Sequence, residues 1–190
     1  GQMQLDSAMA ALRGGEIVGI PTDTVYGLAV DPFQAEAVQA LFELKGRPRQ
    51  KPIGLLGDTL DHFRGLVEIT PQVEELVTGQ WPGPLTLVVR SAVPLPAWVG
   101  DHHRHTVAIR IPDDALAREL FSQVGPLAVT SANPSEQAPA ISAEEARGYF
   151  GDAVAIYLPG ICSGGTSSTV IDVTVAPPMV LRRGPIELAI

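Results

Sequence analysis

Four basic residues stand at every second position between 45 and 51, and they include the only two lysines of the chain. They are Lys45, Arg47, Arg49 and Lys51, and no acidic residue interrupts them. A glycine and a proline within the segment disfavour a continuous helix, and in an extended chain a period of two places all these charges on one side. Such crowding is favourable only if an anion neutralises it. A solvated basic loop is the alternative, but the other polar segments of the chain favour an anion site.

A second polar group, Thr22, Asp23 and Thr24, directly follows the apolar run 17–20. Ligands of open α/β sheets commonly bind where strands end. Two hydroxyls and a carboxylate at this point could therefore hold a polar ligand. A turn in which Thr22 and Asp23 cap their own main chain is an equally good interpretation.

Two further segments are rich in small hydroxyl residues. Segment 130–135, with the sequence Thr-Ser-Ala-Asn-Pro-Ser, directly follows the apolar run 127–129. Its hydroxyls and amide can donate hydrogen bonds to phosphate or carboxylate oxygens, although an Asn-Pro turn with local caps is by itself the commoner structure. Segment 164–169, Gly-Gly-Thr-Ser-Ser-Thr, allows main-chain amides to approach an anion. It lacks the spacing of a P-loop.

Arginines at two other places could complete an anion site. Arg110 is embedded in the apolar run 107–111, where an unpaired charge is unfavourable. Either a structural salt bridge or the carboxylate of a ligand is therefore expected beside it. Arg182 and Arg183 could bind phosphate oxygens with their forked donors, or they could face water.

The composition is that of a globular protein, with 45% hydrophobic and 18% charged residues among 190. Thirteen basic and twenty-one acidic side chains give a net charge of −8, which disfavours a general nucleic-acid coat but permits a local basic cleft. The single cysteine, Cys162, excludes an internal disulfide and a cysteine-built zinc site. No apolar run reaches the roughly 20 residues of a membrane span, and no signal peptide is found. We therefore expect a cytoplasmic protein without membrane contact.

The positions of apolar runs and capping residues predict a single α/β domain over residues 3–190, with an open, twisted, mixed β-sheet flanked by helices. Residues 1–2, which precede Met3, are interpreted as the remnant of a tag. The predicted helices cover 6–13, 32–44, 71–77, 113–121 and 142–149. The predicted strands cover 17–20, 53–56, 85–89, 106–111, 127–130, 154–158, 169–173 and 179–181.

Two other groups of residues have simpler interpretations. The histidines at 102, 103 and 105 could form a metal cluster, but neighbours in an extended chain point apart and Arg104 would repel a cation, so a surface loop is favoured. Trp81, flanked by prolines, is interpreted as a packed turn that supports strand 85–89.

In order and spacing, these segments resemble the YrdC/Sua5/TsaC family of threonylcarbamoyl-AMP synthases over nearly the whole chain. The paired family signature, Lys-x-Arg followed later by Ser-x-Asn, falls on Lys45, Arg47, Ser131 and Asn133. The matching segments are 20–28 (IPTDTVYGL), 45–48 (KGRP) with 51–52 (KP), 81–86 (WPGPLT), 107–112 (VAIRIP), 131–133 (SAN), 168–170 (STV) and 181–184 (LRRG).

The resemblance implies an open α/β fold with a large positively charged cavity. It also implies a nucleotidyltransferase that combines L-threonine, bicarbonate or CO2, and ATP into threonylcarbamoyl-AMP with release of pyrophosphate. Mg²⁺ would enter with the nucleotide, with no protein ligand assigned to it, and Asp23 or Asp172 could assist through water. The product would pass to the transferase machinery that makes N6-threonylcarbamoyladenosine at position 37 of transfer RNA, a role that is compatible with weak RNA contact.

The same resemblance assigns roles to individual residues. The catalytic set is Lys45, Arg47, Ser131 and Asn133. The residues implied to bind ATP are Arg47, Lys51, Thr106, Ser131, Asn133, Ala140 and Arg182, and those implied to bind threonine are Thr24, Arg110, Thr130 and Ser168.

Leu56 departs from the pattern, because longer family members carry a histidine here that contacts threonine. The chain resembles the short form, without the C-terminal Sua5 domain. Two rival functions remain at this point. One is an RNA-binding or ribosome-maturation module that uses the same cationic cavity, and the other is a carbamoyl-adenylating domain of the hydrogenase-maturation type, which in that family belongs to a much longer chain.

Overall fold

The computed structural model of the protein describes residues 1–188 and residue 190. Six helices are present in that part of the chain: α1 (Gln2–Arg13), α2 (Ala35–Lys45), α3 (Leu60–Phe63), α4 (Pro71–Val77), α5 (Ala115–Val124) and α6 (Ala143–Phe150). The strands are β1 (Val18–Ile20), β2 (Gly27–Val30), β3 (Gly54–Leu56), β4 (Leu85–Arg90), β5 (Thr106–Arg110), β6 (Leu127–Ser131), β7 (Ile156–Tyr157), β8 (Thr169–Asp172) and β9 (Met179–Arg182).

The nine strands form one mixed sheet in the order β7-β1-β2-β6-β3-β5-β4-β8-β9. The pairs β1–β7, β3–β5 and β4–β8 are parallel, and the other neighbouring pairs are antiparallel. The predicted α/β fold with a mixed sheet is therefore confirmed.

Hydrophobic residues pack on both faces of the sheet. On one face, Leu41 of α2 and Val73 of α4 belong to the large core that contains Leu55 and Ile109. On the other face, α1 and α5 cover the strands around β1 and form a smaller core. No helix among the described residues is long and apolar enough to cross a membrane.

Several predicted helix boundaries were wrong because capping chemistry was assigned to the wrong residue. Helix α1 begins at Gln2 and not at 6, and α2 begins at Ala35 and not at 32, where Gln34 precedes the first turn without a side-chain capping hydrogen bond. The cap of α5 is Asp114 and not Asp113, since its carboxylate accepts the Ala117 N–H at 2.9 Å.

Strand β2 was not predicted, because no strand was expected between the apolar run 17–20 and the helix predicted at 32–44. It instead returns beside β1, with Ile20 opposite Gly27. Short helix α3 was also missed. In contrast, the predicted helix 71–77 agrees with α4, and Thr70 caps it by accepting the Val73 N–H at 3.2 Å.

Candidate active site

A cavity of about 310 Å³ lies over the central strands on the same face of the sheet as α1 and α5, since Leu56 and Val129 line it and also pack against the smaller core. Three arginines and several hydroxyls line it, and no described lining residue is acidic. The lining residues are Thr22, Thr24, Val25, Gly27, Arg47, Pro52, Gly54, Leu55, Leu56, Thr86, Ala108, Arg110, Val129, Thr130, Ser131, Ser167, Ser168, Val170 and Arg182.

Strand alternation explains how the sequence divides its residues between cavity and core. Side chains of neighbouring residues on a strand point to opposite faces. On β5, Ala108 and Arg110 therefore face the cavity while Ile109 is fully buried in the core between them. On β6, Val129 and Ser131 line the cavity and Ala128 joins the core, but Thr130 between them also lines the cavity, so alternation does not hold at the end of this strand.

Arg110 is held at the end of β5 by a turn of the chain and not left free. Its Nη1 forms a salt bridge to Asp23 Oδ1 at 2.6 Å and donates to Gly83 O at 3.3 Å, and its Nη2 donates to Thr24 Oγ1 at 3.2 Å. Both charged side chains of the pair are largely buried, at 7% and 14% exposure. The sequence left open a structural salt bridge or a ligand anchor, and the structure contains the salt bridge while keeping Arg110 in the cavity wall.

Arg47 reaches the cavity from the loop after α2. Its Nε donates to Lys51 O at 2.8 Å and its Nη2 to Pro52 O at 2.9 Å, while Nη1 lies 3.4 Å from Thr130 Oγ1. These contacts fix the guanidinium plane at the cavity wall. Burial lowers the pKa of Arg47, but an arginine remains charged at neutral pH.

Lys45 does not line the cavity, although the resemblance assigns it to the catalytic set. Its ammonium is buried behind the wall, where Nζ donates to the main-chain carbonyls of Ser131 at 2.5 Å and Asn133 at 2.7 Å. Burial, and secondly the charge of Arg47, lower the pKa of Lys45 to about 8.

The signature serine and asparagine are joined to each other. Ser131 Oγ donates to Asn133 Oδ1 at 2.6 Å, and Asn133 Nδ2 donates to Pro134 O at 2.8 Å. Ser131 lines the cavity, whereas Asn133 is buried beside it. The Lys-x-Arg and Ser-x-Asn segments therefore meet in space through Lys45, as the resemblance implies.

Arg182 forms the opposite wall together with β8. Its Nε donates to Ser168 O at 3.0 Å and its Nη2 to Ser168 Oγ at 3.1 Å, and that hydroxyl lies 2.7 Å from Thr86 Oγ1. Burial, and secondly the charge of Arg110, lower the pKa of Arg182. Two arginines thus face one cavity closely enough to repel each other, which makes the space between them attractive to an anion.

The prediction that all four cations of the 45–51 segment share one side was wrong. The segment is not extended, because Lys45 ends α2 and Gly46 turns the chain in the left-handed region. Arg49 consequently lies over the ring of Trp98, with 4.8 Å between the guanidinium carbon and the ring centroid. The side chain of Lys51 is exposed and does not line the cavity.

Two other residues expected at the nucleotide lie elsewhere. Thr106 stands at the start of β5, four residues before Arg110, and lines a different cavity with His102 and His105. Ala140 is fully buried and bonds through its main chain to Tyr26 and Ala132. Neither side chain contributes to the wall that carries the arginines.

Thr22 and Thr86 both line the cavity, although sequence reasoning considered Thr22 only as part of the polar turn 22–24 and gave Thr86 no role. Strand alternation gives a signal for Thr86, since Leu85 and Leu87 on either side of it are fully buried. Thr22 has no such signal, because its position depends on the hairpin between β1 and β2.

The remaining sequence interpretations concern residues outside the cavity. The histidines at 102, 103 and 105 lie in an exposed loop, and the described residues contain no group of three or more His, Cys, Asp or Glu suited to a metal ion. Trp81 Nε1 donates to Leu85 O at 2.6 Å, which confirms that this tryptophan supports β4.

Comparison with known proteins identifies the family. Residues 10–184 match the Sua5_yciO_yrdC family model, which carries the description "Telomere recombination". The chain belongs to this family. The match includes all three cavity arginines.

Similar proteins in the family carry a common name. A putative threonylcarbamoyl-AMP synthase of Mycobacterium leprae (strain TN) is 45% identical over 185 residues, which is 96% of this chain and 84% of the relative. A threonylcarbamoyl-AMP synthase of Pseudomonas savastanoi pv. phaseolicola is 36% identical over 182 residues, covering 95% of this chain and 97% of the relative.

Solved structures agree with this assignment. P. abyssi Sua5, crystallised with L-threonine, superposes with a TM-score of 0.90 at 34% identity and covers 96% of this chain. This chain spans only 54% of that Sua5 chain. E. coli YciO has a TM-score of 0.84 at 22% identity, with 97% of this chain and 90% of that chain covered, and it shares the fold.

Proposed function

We propose that this protein is an L-threonylcarbamoyladenylate synthase, a nucleotidyltransferase that supplies the intermediate for threonylcarbamoyl modification of adenosine 37 in transfer RNA. The observation that carries the proposal is the meeting of Arg47, Arg110 and Arg182 in one cavity. They come from three separate parts of the chain, and none of the described lining residues is acidic. Of the three arginines, Arg110 is paired with a carboxylate, that of Asp23, among the described residues. The names of relatives up to 45% identical support the same reaction.

The proposed chemistry joins two anions, and the cavity is suited to that task. The amine of threonine forms a bond to the carbon of CO2 and loses a proton, which gives an N-carboxylate. An oxygen of this carboxylate then attacks the α-phosphorus of ATP, the bond from that phosphorus to the bridging oxygen breaks, and pyrophosphate leaves. Fixed cations in a partly dry site lower the electrostatic barrier to such an encounter, and phosphoryl-type transfer needs positioning more than a protein nucleophile.

We assign the subsites by charge and position. Arg110 and Thr24, which it contacts, would receive the threonine carboxylate. Thr130, which contacts Arg47, and Ser168, which contacts Arg182, would bind other parts of threonine at the border with the nucleotide. Arg47 and Arg182 would face the phosphates of the nucleotide. Ser131 would contact the reacting groups, while Lys45 and Asn133 would support it from behind.

Magnesium is treated as part of the substrate, as MgATP. The two carboxylates considered for it are already engaged: Asp23 pairs with Arg110, and Asp172 Oδ1 accepts from Thr174 N at 2.8 Å and Thr174 Oγ1 at 2.6 Å. The residues at hand therefore do not form a resident Mg²⁺ site.

Incubation with ATP, L-threonine and labelled bicarbonate tests the proposal. We expect a labelled adenylate and one pyrophosphate per adenylate, with both products requiring all three substrates. Carbamoyl phosphate supplied in place of threonine and bicarbonate tests the hydrogenase-maturation type of reaction, for which the structural likeness to HypF is a likeness of fold at 20% identity. Adenylate formation from ATP and carbamoyl phosphate, with no adenylate from ATP, threonine and bicarbonate, would reject our proposal.

An RNA-binding module is the second alternative, and salt dependence separates it from an enzyme. A protein that neutralises many phosphates loses affinity steeply with salt. We expect weak RNA binding from a chain with net charge −8. Tight binding with a steep salt slope, together with no adenylate, would favour the module.

A further inference from the structure

Thr22 is a buried residue of the cavity wall whose hydroxyl has a complete set of hydrogen-bond partners. Its Oγ1 donates to Val25 O at 2.6 Å and accepts from Thr24 N at 3.1 Å. The same oxygen lies 3.2 Å from Thr24 Oγ1. A hydroxyl carries one hydrogen, and a carbonyl can only accept. The hydrogen of Thr22 is therefore committed to Val25 O.

This commitment sets the direction of the contact between the two threonine hydroxyls. Since Thr22 Oγ1 has no second hydrogen, Thr24 must be the donor in the 3.2 Å contact. The hydroxyl hydrogen of Thr24 thus points at Thr22 and away from the cavity.

Arg110 fixes the other side of Thr24. Its guanidinium is oriented by Asp23 and Gly83, so that Nη2 donates to Thr24 Oγ1 at 3.2 Å. Thr24 Oγ1 then donates once and accepts once within the protein. A hydroxyl oxygen has two acceptor positions, and the second is left for the cavity that Thr24 lines.

We propose that Thr22 is a positioning residue that fixes Thr24 Oγ1 as a hydrogen-bond acceptor toward the amino acid substrate. Thr24 then recognises a donor of that substrate, its ammonium or its hydroxyl, while Arg110 takes the carboxylate. The choice of L-threonine as the ligand rests on the proposed function. The direction of the hydrogen bonds rests only on the contacts of Thr22, Thr24 and Arg110.

Calorimetric binding of small ligands without ATP tests this polarity. The ligands are L-threonine, L-valine, which is nearly isosteric but lacks the hydroxyl, and 3-hydroxybutyrate, which lacks the nitrogen. The proteins are wild type, Thr22→Val, which removes the hydroxyl at nearly constant volume, and Thr22→Ser, which restores it. ATP binding and thermal unfolding report whether each variant is folded, and Thr22→Ala replaces Thr22→Val if the latter does not fold.

In Thr22→Val the Thr24 hydroxyl is free to turn its hydrogen toward the ligand. The donor group of the substrate then no longer finds an acceptor at Thr24 Oγ1. We expect about tenfold weaker binding of L-threonine, the effect of one hydrogen bond, with unchanged ATP binding and with rescue by Thr22→Ser. If Thr24 Oγ1 accepts a hydrogen bond from the substrate hydroxyl, the wild-type protein binds L-threonine more tightly than L-valine, and Thr22→Val loses that preference. If Thr24 Oγ1 accepts a hydrogen bond from the ammonium, Thr22→Val weakens the binding of L-threonine and of L-valine equally and leaves the binding of 3-hydroxybutyrate unchanged.

Three results would overturn the inference. They are a folded Thr22→Val protein that binds every ligand as wild type does, a Thr22→Ser protein as weak as Thr22→Val, and a wild type that binds no L-threonine. The binding of L-threonine and its analogues is measured without ATP and without turnover. Absence of adenylate formation would therefore count against the proposed function only, and the binding result is judged separately.

Discussion

The ammonium nitrogen of Lys45 lies 2.5 Å from the main-chain carbonyl oxygen of Ser131. This contact, with the second one to Asn133, joins the end of α2 to the end of β6. A main-chain hydrogen bond also joins the two segments, since Ser135 N donates to Lys45 O at 2.8 Å. Lys45 therefore acts on the cavity through the loop that carries Ser131.

The burial of Lys45 predicts an unusual pH dependence of stability. Its pKa in the folded protein is about 8, below the ordinary value of 10.5. Between these two pH values the unfolded chain binds a proton that the folded chain has released, so the free energy of unfolding rises with pH. The slope from this one group approaches about 1.4 kcal/mol per pH unit.

Urea unfolding of wild type and Lys45→Met between pH 7 and pH 10.5 isolates this effect, because other titrating groups cancel in the difference. We expect the difference in the free energy of unfolding, wild type minus Lys45→Met, to be constant below pH 8 and to increase above it. A difference that stays flat to pH 10 would mean that the two carbonyl contacts hold the proton and that the pKa is not lowered.

Arg47 and Arg49 form a matched pair for the nucleotide subsite, because they lie in one loop and only Arg47 lines the cavity. We expect Arg47→Ala to lower kcat/KM for ATP by about 10- to 100-fold, the loss of one charge-assisted contact. Arg49→Ala should stay within about threefold of wild type, since its removal costs one exposed cation–π contact. Pyrophosphate release measures both, and equal losses in the two variants would contradict the assigned placement.

The difference between these arginines shows what the sequence could and could not predict. The charge embedded in the apolar run 107–111 and the family resemblance were sufficient to predict that Arg47, Arg110 and Arg182 belong to one cavity. Alternation failed for Arg49 and Lys51, because a helix end and the left-handed Gly46 break the extended geometry that a period of two requires. The missed strand β2 has a similar cause, since its pairing with β1 is a tertiary contact that local propensity does not encode.

The ion pair between Asp23 and Arg110 should contribute more to stability than its surface counterpart between Asp61 and Arg64. Removal of one partner of a buried pair leaves an uncompensated charge. We expect Asp23→Asn to lower the free energy of unfolding by about 2–3 kcal/mol, less than for full deletion because the amide oxygen still accepts a hydrogen bond. Its KM for threonine should rise, because a neutral amide holds the Arg110 guanidinium less firmly in place than the carboxylate does.

Asp61→Asn is the control, since its pair has side chains that are 80% and 51% exposed. We expect no measurable change in its unfolding or its kinetics. Urea unfolding and threonine titrations of both variants provide the comparison, and an Asp23→Asn protein as stable and as active as Asp61→Asn would show that the buried pair has no role in either property.

Gly184 allows the close approach of the C-terminal segment to β8. A methyl group at this position would lie 2.5 Å from Ser167 O and 2.5 Å from Thr169 N, both of which are main-chain atoms. We expect Gly184→Ala to displace the chain around Ser168 and thereby Arg182, and to lower the free energy of unfolding by about 2 kcal/mol, as overpacking does.

Gly165 is the matched control, because a methyl group there meets nothing within 4 Å. Gly165→Ala should keep or slightly increase stability, through the lower entropy of its unfolded chain. If Arg182 binds the nucleotide, Gly184→Ala should also raise KM for ATP while Gly165→Ala leaves it unchanged. A Gly184→Ala protein with lower stability but normal ATP kinetics would separate the packing role of this glycine from the site and would place the nucleotide away from Arg182.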